Sequence, residues 1–262
     1  MVFLLFFIFG ISGCSSKSIE KPQETALLQE KTLAQDEEFD DEFLQEFEDE
    51  MEVEEIYDPF NSYNRMMTRF NDGLFEYVLI PVAKGYKLVV HQEIRESVDN
   101  FFHNLYYPSR VVNNLLQGKF SNASEETGRF IINSTIGILG LFDVAKKKFN
   151  LNEHDEDFGQ TLGFYGVGSG PHIVLPLLGP SNLRDTLSMY PDSFLNPIDY
   201  TEREWYTLSD TLEEYIALRT YEQLNSTSLN INEYEKLKKD AVDLYPYLRD
   251  IYEQYREKQI RE

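Results

Sequence analysis

Phe130-Ile-Ile-Asn-Ser-Thr-Ile-Gly-Ile-Leu-Gly-Leu-Phe142 is the stretch on which the reading of this chain turns. It is apolar except for Asn133, Ser134 and Thr135, which sit together, and Gly137 and Gly140 interrupt it. The glycines predict two helical pieces joined by a bend. At ~1.5 Å per helical residue the run reaches about 20 Å against ~30 Å of bilayer hydrocarbon, so it suits one leaflet rather than a full span. Pattern alone leaves two readings open: a core helix hairpin, or a surface that faces lipid. On the second reading, Phe130, Ile131, Ile132, Ile136, Ile138, Leu139, Leu141 and Phe142 make a membrane-facing belt or ridge.

Helical patterns surround this segment. Asp58 is a good N-cap and Pro59 suits a first helical position, which predicts a helix start there. Phe60, Tyr63, Met67, Phe70, Leu74 and Tyr77 then recur at helical spacing as one apolar face, with Asn61, Asn64, Arg65, Thr68, Arg69 and Asp72 expected on the outer surface. Pro81 is expected to end or kink this helix. Further patterns run through Val82, Tyr86 and Val89/Val90, then Ile94, Val98, Phe101/Phe102 and Leu105, then Pro108 to Gln117 with a stop at Gly118. Asn122 with Glu125 resembles a capping pair for the helix that leads into 130–142. From 158 to 180 glycines and prolines are too dense for a helix, so loop or short extended structure is expected around Ile173-Val174-Leu175. Helical character returns after 205: one helix through Leu208, Leu212, Tyr215, Ile216 and Leu224, then Tyr234–Ala241 and Tyr245–Arg256. No stretch sustains strand alternation, so the body reads as all-α.

The N-terminus reads as an address. Residues 1–13 are a short apolar run of signal-peptide length, although no Lys or Arg opens it. Ile11-Ser12-Gly13-Cys14 has the form of a lipobox, which makes Cys14 the candidate lipidation site in a bacterial envelope. Cys14 is the only cysteine, so it has no internal disulfide partner. Residues 14–57 then form an acidic linker. From 17 to 58 there are 17 Asp/Glu against 3 Lys, and a tract so charged is expected to be disordered and self-repelling. Phe39, Phe43, Phe47 and Met51 recur every four residues within it, which leaves open a short helix that orders on a partner. The folded body is expected over 58–262.

Composition excludes some functions. The chain has 262 residues, with 24 Lys+Arg against 46 Asp+Glu, a net charge of −22. Such a balance argues against nucleic acid as a partner. No catalytic constellation is present. Gly166-x-Gly168-x-Gly170 lacks the strand, spacing and helix of a dinucleotide fingerprint, and Ser169 fails the nucleophile-elbow pattern. His91, His103, His154 and His172 form no metal-ligand motif, and His154-Asp155-Glu156-Asp157 reads as a solvated acidic turn. Neither a metal nor a cofactor is expected.

The body resembles the MlaA (VacJ) family of outer-membrane lipoproteins. The resemblance rests on Asp58-Pro-Phe-Asn-Ser-Tyr-Asn-Arg65, on Asn104-Leu-x-x-Pro108 with Asn113-Asn-Leu-Leu-Gln-Gly118, and on Arg129-Phe-x-x-Asn133 with Gly137-x-x-Gly140-x-x-Asp143-x-Ala145. The longest match is Phe158-Gly-Gln-Thr-Leu-Gly-Phe-Tyr-Gly-Val-Gly-Ser-Gly-Pro171, continued by Leu175-Pro176, Gly179-Pro-Ser181 and Arg184-Asp185. These keep their order from about 58 to 200, and Tyr245-Pro-Tyr247 matches more weakly. The long acidic tract departs from the family's short linker.

The resemblance implies a ring-shaped, all-helical body in the inner leaflet of the outer membrane, anchored by lipid, facing the periplasm and lying beside a trimeric porin. It also implies a central amphipathic channel through which phospholipid strayed to the outer leaflet passes inward to a soluble periplasmic lipid carrier protein. On that reading Gly163, Tyr165, Gly166, Val167, Gly168, Gly170 and Pro171 are candidates for the channel wall. The alternative is a non-transporting envelope lipoprotein that acts as a porin-binding scaffold.

Overall fold

The computed structural model describes residues 58–198 and 208–262. The expected signal peptide, Cys14, the acidic linker and its Phe39/Phe43/Phe47 stripe lie outside the described residues.

The chain enters α1 (Asn61–Leu74), widens into a π-helical turn (Phe75–Leu79) and continues as α2 (Ile80–Val89). Phe60, not Asp58, takes the N-cap position of α1. Pro81 does not end the helix. A proline lacks the N–H of the α-helical ladder and its ring crowds the carbonyl four residues back. The wider π turn just before it, closed by Ile80 N–H donating to Phe75 O, absorbs both defects.

Next come α3 (Gln92–Leu105), α4 (Tyr107–Leu116) and α5 (Phe120–Thr135). The expected Asn122–Glu125 cap is not formed: α5 starts at Phe120 with Lys119 at its N-cap. Glu125 instead accepts from His154 Nε2 at 3.1 Å. Short helices α6 (Val144–Phe149) and α7 (Phe158–Phe164) precede an antiparallel hairpin of β1 (His172–Leu175) and β2 (Gly179–Asn182). Then follow α8 (Leu183–Ser193), α9 (Leu212–Asp240) and α10 (Leu244–Arg261). The two patterns expected on either side of 224–234 are one run, α9, with a non-helical Asn230 inside it, and Leu208 precedes it. The body is all-α apart from the small hairpin.

Helix α7 corrects the expectation of loop throughout 158–180. Asp157 accepts from Gln160 N–H at 2.8 Å while Gln160 Oε1 accepts from Asp157 N–H, so a capping box starts the helix despite two glycines inside it. Asn64 of α1 holds the hairpin. Its Oδ1 accepts from Val174 N–H at 2.8 Å and its Nδ2 donates to His172 O at 2.9 Å. Two turns further on, Asn71 makes the same paired contacts to Leu175 O and Leu177 N–H. The two amides act as a substitute third strand along β1.

The faces of α1 are inverted in part relative to expectation: Arg69 is exposed as expected and Met67 and Leu74 are half-buried. Asn64 and Thr68 are buried, whereas Phe60, Tyr63 and Phe70 are exposed. The same holds along α4 and α5, where Arg110, Asn113, Asn114, Glu126, Arg129 and Asn133 are buried while Leu115, Leu116 and Ile131 are exposed. Among the described residues, buried polar and charged side chains outnumber buried apolar ones. The apolar core cluster is small: Ile80, Ala83, Ile231 and Tyr234, with Phe75 and Leu224 against it. Helix α9 packs along α2 and α3, and α4 packs on α5.

Candidate functional site

Residues 136–142 form a tight turn, not the second helical piece expected. Helix α5 ends at Thr135, and Ile138, Leu139 and Gly140 all take left-handed backbone, at φ 54°, 58° and 92°. Left-handed conformation is unfavourable for Ile and Leu because Cβ crowds the carbonyl oxygen. The backbone of the turn is nevertheless well bonded: Gly140 N–H donates to Asn133 O at 2.8 Å, Leu139 N–H to Ser134 O at 3.0 Å, and Phe142 N–H to Gly137 O at 2.9 Å. A Cβ on Gly137 would sit 2.2 Å from Phe142 O, and one on Gly140 would sit 2.4 Å from Asn104 Cβ. Both glycines are therefore dictated by close approach.

This geometry turns the apolar residues outward. Ile138 is 57% exposed and Leu139 67% exposed, and Ile131, Ile136 and Phe142 are also exposed. Phe130, Ile132 and Leu141 are half-buried, and Phe130 stacks on Tyr107 with ring centroids 4.3 Å apart. None of the eight predicted ridge residues is buried.

Beneath the turn lies a network of buried charge. Asp143, which caps α6, accepts from Lys146 N–H, from Asn133 Nδ2 at 3.0 Å and from the Arg129 guanidinium at 3.1 Å. Burial alone would raise the Asp143 carboxyl, but these donors outweigh it and hold it below the usual carboxylate range. Asn133 Oδ1 closes the loop by accepting from Ala145 N–H at 2.9 Å. Arg110 Nε meets Glu126 Oε2 at 2.7 Å, and Glu126 Oε1 accepts from His154 N–H at 2.8 Å. The strained apolar turn is thus bolted to a rigid polar base.

A second buried network lies under the glycine-rich segment. Arg256 of α10, 2% exposed, reaches both Asp157 and Asp185. NH1 and NH2 donate to Asp157 at 2.7 and 2.9 Å, while Nε and NH2 donate to Asp185 at 2.8 and 3.0 Å. Burial raises the Asp185 carboxyl, and the Arg256 charge with bonds from Arg256, Tyr252 and Arg184 brings it below its ordinary value. The turn at 154–157, expected to be solvated, is so only in part: Asp155 is exposed and His154 half-buried, but the other two acids point inward. Glu156 is buried and pairs with Lys119 at 2.6 Å, and Asp157 is buried against Arg256.

The candidate wall residues divide into two groups. Gly163 lies in α7, where a Cβ would meet Ile260 Cδ1 at 2.5 Å, so it serves helix packing against α10. Tyr165, Gly166, Val167, Gly168 and Gly170 are exposed on the loop after α7, and Pro171 is half-buried. Tyr165 OH ties that loop to Leu116 O at 2.6 Å. Close by is an apolar groove of about 350 Å³ lined by Val112, Leu116, Phe158, Tyr190, Phe194 and Leu195, with Asp192 in its wall. Burial, reinforced by the Asp157 charge, pushes the Asp192 carboxyl up to about 6. Ser109 Oγ, Asn113 Nδ2 and Phe158 N–H nevertheless bond to it.

Arg129, Asn133, Asp143, Arg184 and Asp185 are motif positions to which the sequence assigns no role, and nothing in it singles out Arg110, Asp192 or Arg256. The available signal was polar periodicity. Arg110, Asn113, Asn114 and Gln117 recur at helical spacing opposite the apolar stripe, as do Glu126, Arg129 and Asn133.

Residues 56–259 match the family model described as MlaA lipoprotein. An uncharacterized protein of Rickettsia prowazekii is 39% identical over 181 residues, covering 66% of this chain and 72% of the relative. The intermembrane phospholipid transport system lipoprotein MlaA of Escherichia coli is 36% identical over 154 residues, covering 57% of this chain and 59% of that protein. A solved structure described as "Structural basis for maintenance of bacterial outer membrane lipid asymmetry" superimposes with a TM-score of 0.66 at 30% identity, over 78% of this chain and 98% of that one. With a family match that spans nearly all of the described body, the chain belongs to the MlaA lipoprotein family.

Proposed function

We propose that this chain passes phospholipid misplaced in the outer leaflet inward to a soluble periplasmic carrier, and so preserves the lipid asymmetry of the outer membrane. Family membership makes it a non-catalytic, phospholipid-handling lipoprotein of that membrane. The finer reading rests on one observation, the inverted body: buried Arg110, Glu126, Arg129, Asp143 and Asn133 inside, with exposed Ile131, Ile136, Ile138, Leu139 and Phe142 outside.

The physics favours such a body. A zwitterionic or anionic headgroup crosses hydrocarbon only at a cost of several kcal/mol unless polar groups line its route. A body with a greasy exterior and a polar interior supplies that route while remaining in one leaflet. Among the described residues no helix is long and apolar enough to cross a membrane, which fits half-embedding. On this reading the ridge 130–142 faces acyl chains, and the loop Tyr165–Pro171 with the groove beside Asp192 lies along the lipid's path through a helical ring. Cys14 supplies the acyl anchor, and a trimeric porin flanks the body. Deleting the gene tests the proposal. Surface-exposed phospholipid should rise and return to normal on complementation. An unchanged outer leaflet would leave only the porin-binding scaffold.

A further inference from the structure

The turn 136–142 is followed at once by Asp143 and then by α6, whose last turn carries Lys146, Lys147 and Lys148. This is the only run of three consecutive basic residues in a chain of net charge −22. All three are exposed, as is Phe149 beyond them. Lys146 spends its charge on Glu153 at 3.3 Å. Among the described residues no carboxylate pairs with Lys147 or Lys148.

The position matters as much as the charge. At ~1.5 Å per helical residue, Lys147 and Lys148 lie within roughly 9 Å of Phe142 along the helix axis, a separation comparable to the depth of a headgroup layer. Lysine stems lie along apolar surface and lift their charge to an interface. An acidic body is repelled by an anionic bilayer, and free lysines beside an exposed apolar turn oppose that repulsion where the turn enters. Helix-dipole complementarity explains lysines in a last turn. It does not explain why unpaired lysines adjoin an apolar turn whose backbone is strained.

We propose that Lys147 and Lys148, with Lys146 behind them, bind anionic phospholipid headgroups around the 136–142 turn and give the body a preference for anionic over zwitterionic lipid. The inference rests on the leaflet seating proposed above. Each free lysine near an anionic surface is worth about a fivefold gain in local partition.

The acylated full chain is reconstituted in phosphatidylcholine vesicles holding about 30 mol% phosphatidylglycerol, a content that gives a clear negative surface potential. Lipid retained after mild detergent extraction is then quantified by mass spectrometry. Phosphatidylglycerol should be enriched at least about threefold over the bulk ratio, which is below the single-lysine gain. The enrichment should disappear in Lys146→Gln/Lys147→Gln/Lys148→Gln and persist in the corresponding triple Arg variant. A bulk lipid ratio in the native chain, or enrichment that survives the glutamine variant, overturns the proposal, including the case in which the lysines serve an acidic protein instead. Seating is read separately from Leu139→Cys carrying a nitrobenzoxadiazole label. Quenching of that label by nitroxide lipids with no phosphatidylglycerol enrichment sinks the lysine proposal alone. A label that is not quenched sinks the leaflet reading as well.

Discussion

Gly140→Ala tests whether the apolar turn is fixed by steric necessity. Left-handed backbone at φ 92° costs alanine ~1–2 kcal/mol. The new Cβ would lie 2.4 Å from Asn104 Cβ and 2.8 Å from Asn104 Nδ2, so Asn104 must move. That movement breaks its 3.0 Å bond to Ser134 Oγ, worth about 1 kcal/mol, and overpacking adds ~1–3 kcal/mol. The total of about 3–6 kcal/mol corresponds to a Tm loss on the order of 10 °C for a body of this size. Gly166→Ala is the matched control. It shares a left-handed φ of 85° but has nothing within 4 Å, so only the backbone cost of ~1–2 kcal/mol applies. Thermal unfolding in detergent, followed by circular dichroism, measures both. Asn104→Gly removes the obstructing Cβ, so combined with Gly140→Ala it should destabilise by ~1–3 kcal/mol less than the sum of the two single changes. Equal Tm losses at 140 and 166, together with strict additivity with Asn104→Gly, would refute the reasoning.

Other perturbations probe the interior, the surface and the anchor. Arg256→Met leaves Asp157 and Asp185 buried without their shared cation and should cost ~3–5 kcal/mol in chemical denaturation, with Arg256→Lys recovering only part because an ammonium cannot bridge both carboxylates. Asp192 has a folded-state pKa raised from 3.8 to about 6, so its contribution to stability is full below about pH 4 and is lost as pH rises to 6. The Asp192 contribution should grow by about 3 kcal/mol as pH falls from 6 towards 4, read as the difference between the native chain and Asp192→Asn in pH-dependent melting curves. Asp143 and Asp185, held low, act in the opposite sense: their contribution is complete above about pH 4 and fades only below it. Ile138→Asn/Leu139→Asn relieves left-handed strain but forfeits hydrocarbon contact of similar size, so stability in detergent should change by no more than ~2 kcal/mol while surface phospholipid rises to the level of the gene deletion. Cys14→Ala should leave the membrane-anchored fraction on cell fractionation and fail to complement.

Helix positions were legible because periodicity survives whichever face is buried; the direction of burial was not. The stripe Phe60, Tyr63, Phe70 and Tyr77 has the same spacing whether water or lipid lies outside, and only the packed structure shows that Asn64 and Thr68 point inward. The α7 helix was hidden because propensity counted Gly159 and Gly163 against it, whereas the Asp157–Gln160 box and packing against α8 and α10 outweigh that cost. The left-handed turn at 138–140 was hidden because part of what fixes it is distant in sequence: Asn104 of α3 occupies the space that a side chain at position 140 would need. The motif glycines marked the place without revealing the geometry. Arg256 carried no signal at all, since an arginine in a charged C-terminal helix looks solvated until Asp157 and Asp185 are brought against it.

The turn also shows why such a body suits a bilayer better than water. Two bulky residues in left-handed backbone cost ~2–4 kcal/mol together, and in water their exposure returns nothing. Moving an Ile and a Leu side chain into hydrocarbon is worth ~1.5–3 kcal/mol each, enough to offset the strain. The polar base cannot relax to relieve the turn, because Asn133 and Asp143 are each committed to backbone groups on the far side of it. Strain in Ile138 and Leu139 is therefore held by the buried network and, on the proposed seating, offset by lipid. On that seating, contact with the leaflet follows from the arrangement of α1, α4 and α5, in which exposed apolar side chains face out and buried asparagines, arginines and carboxylates face one another.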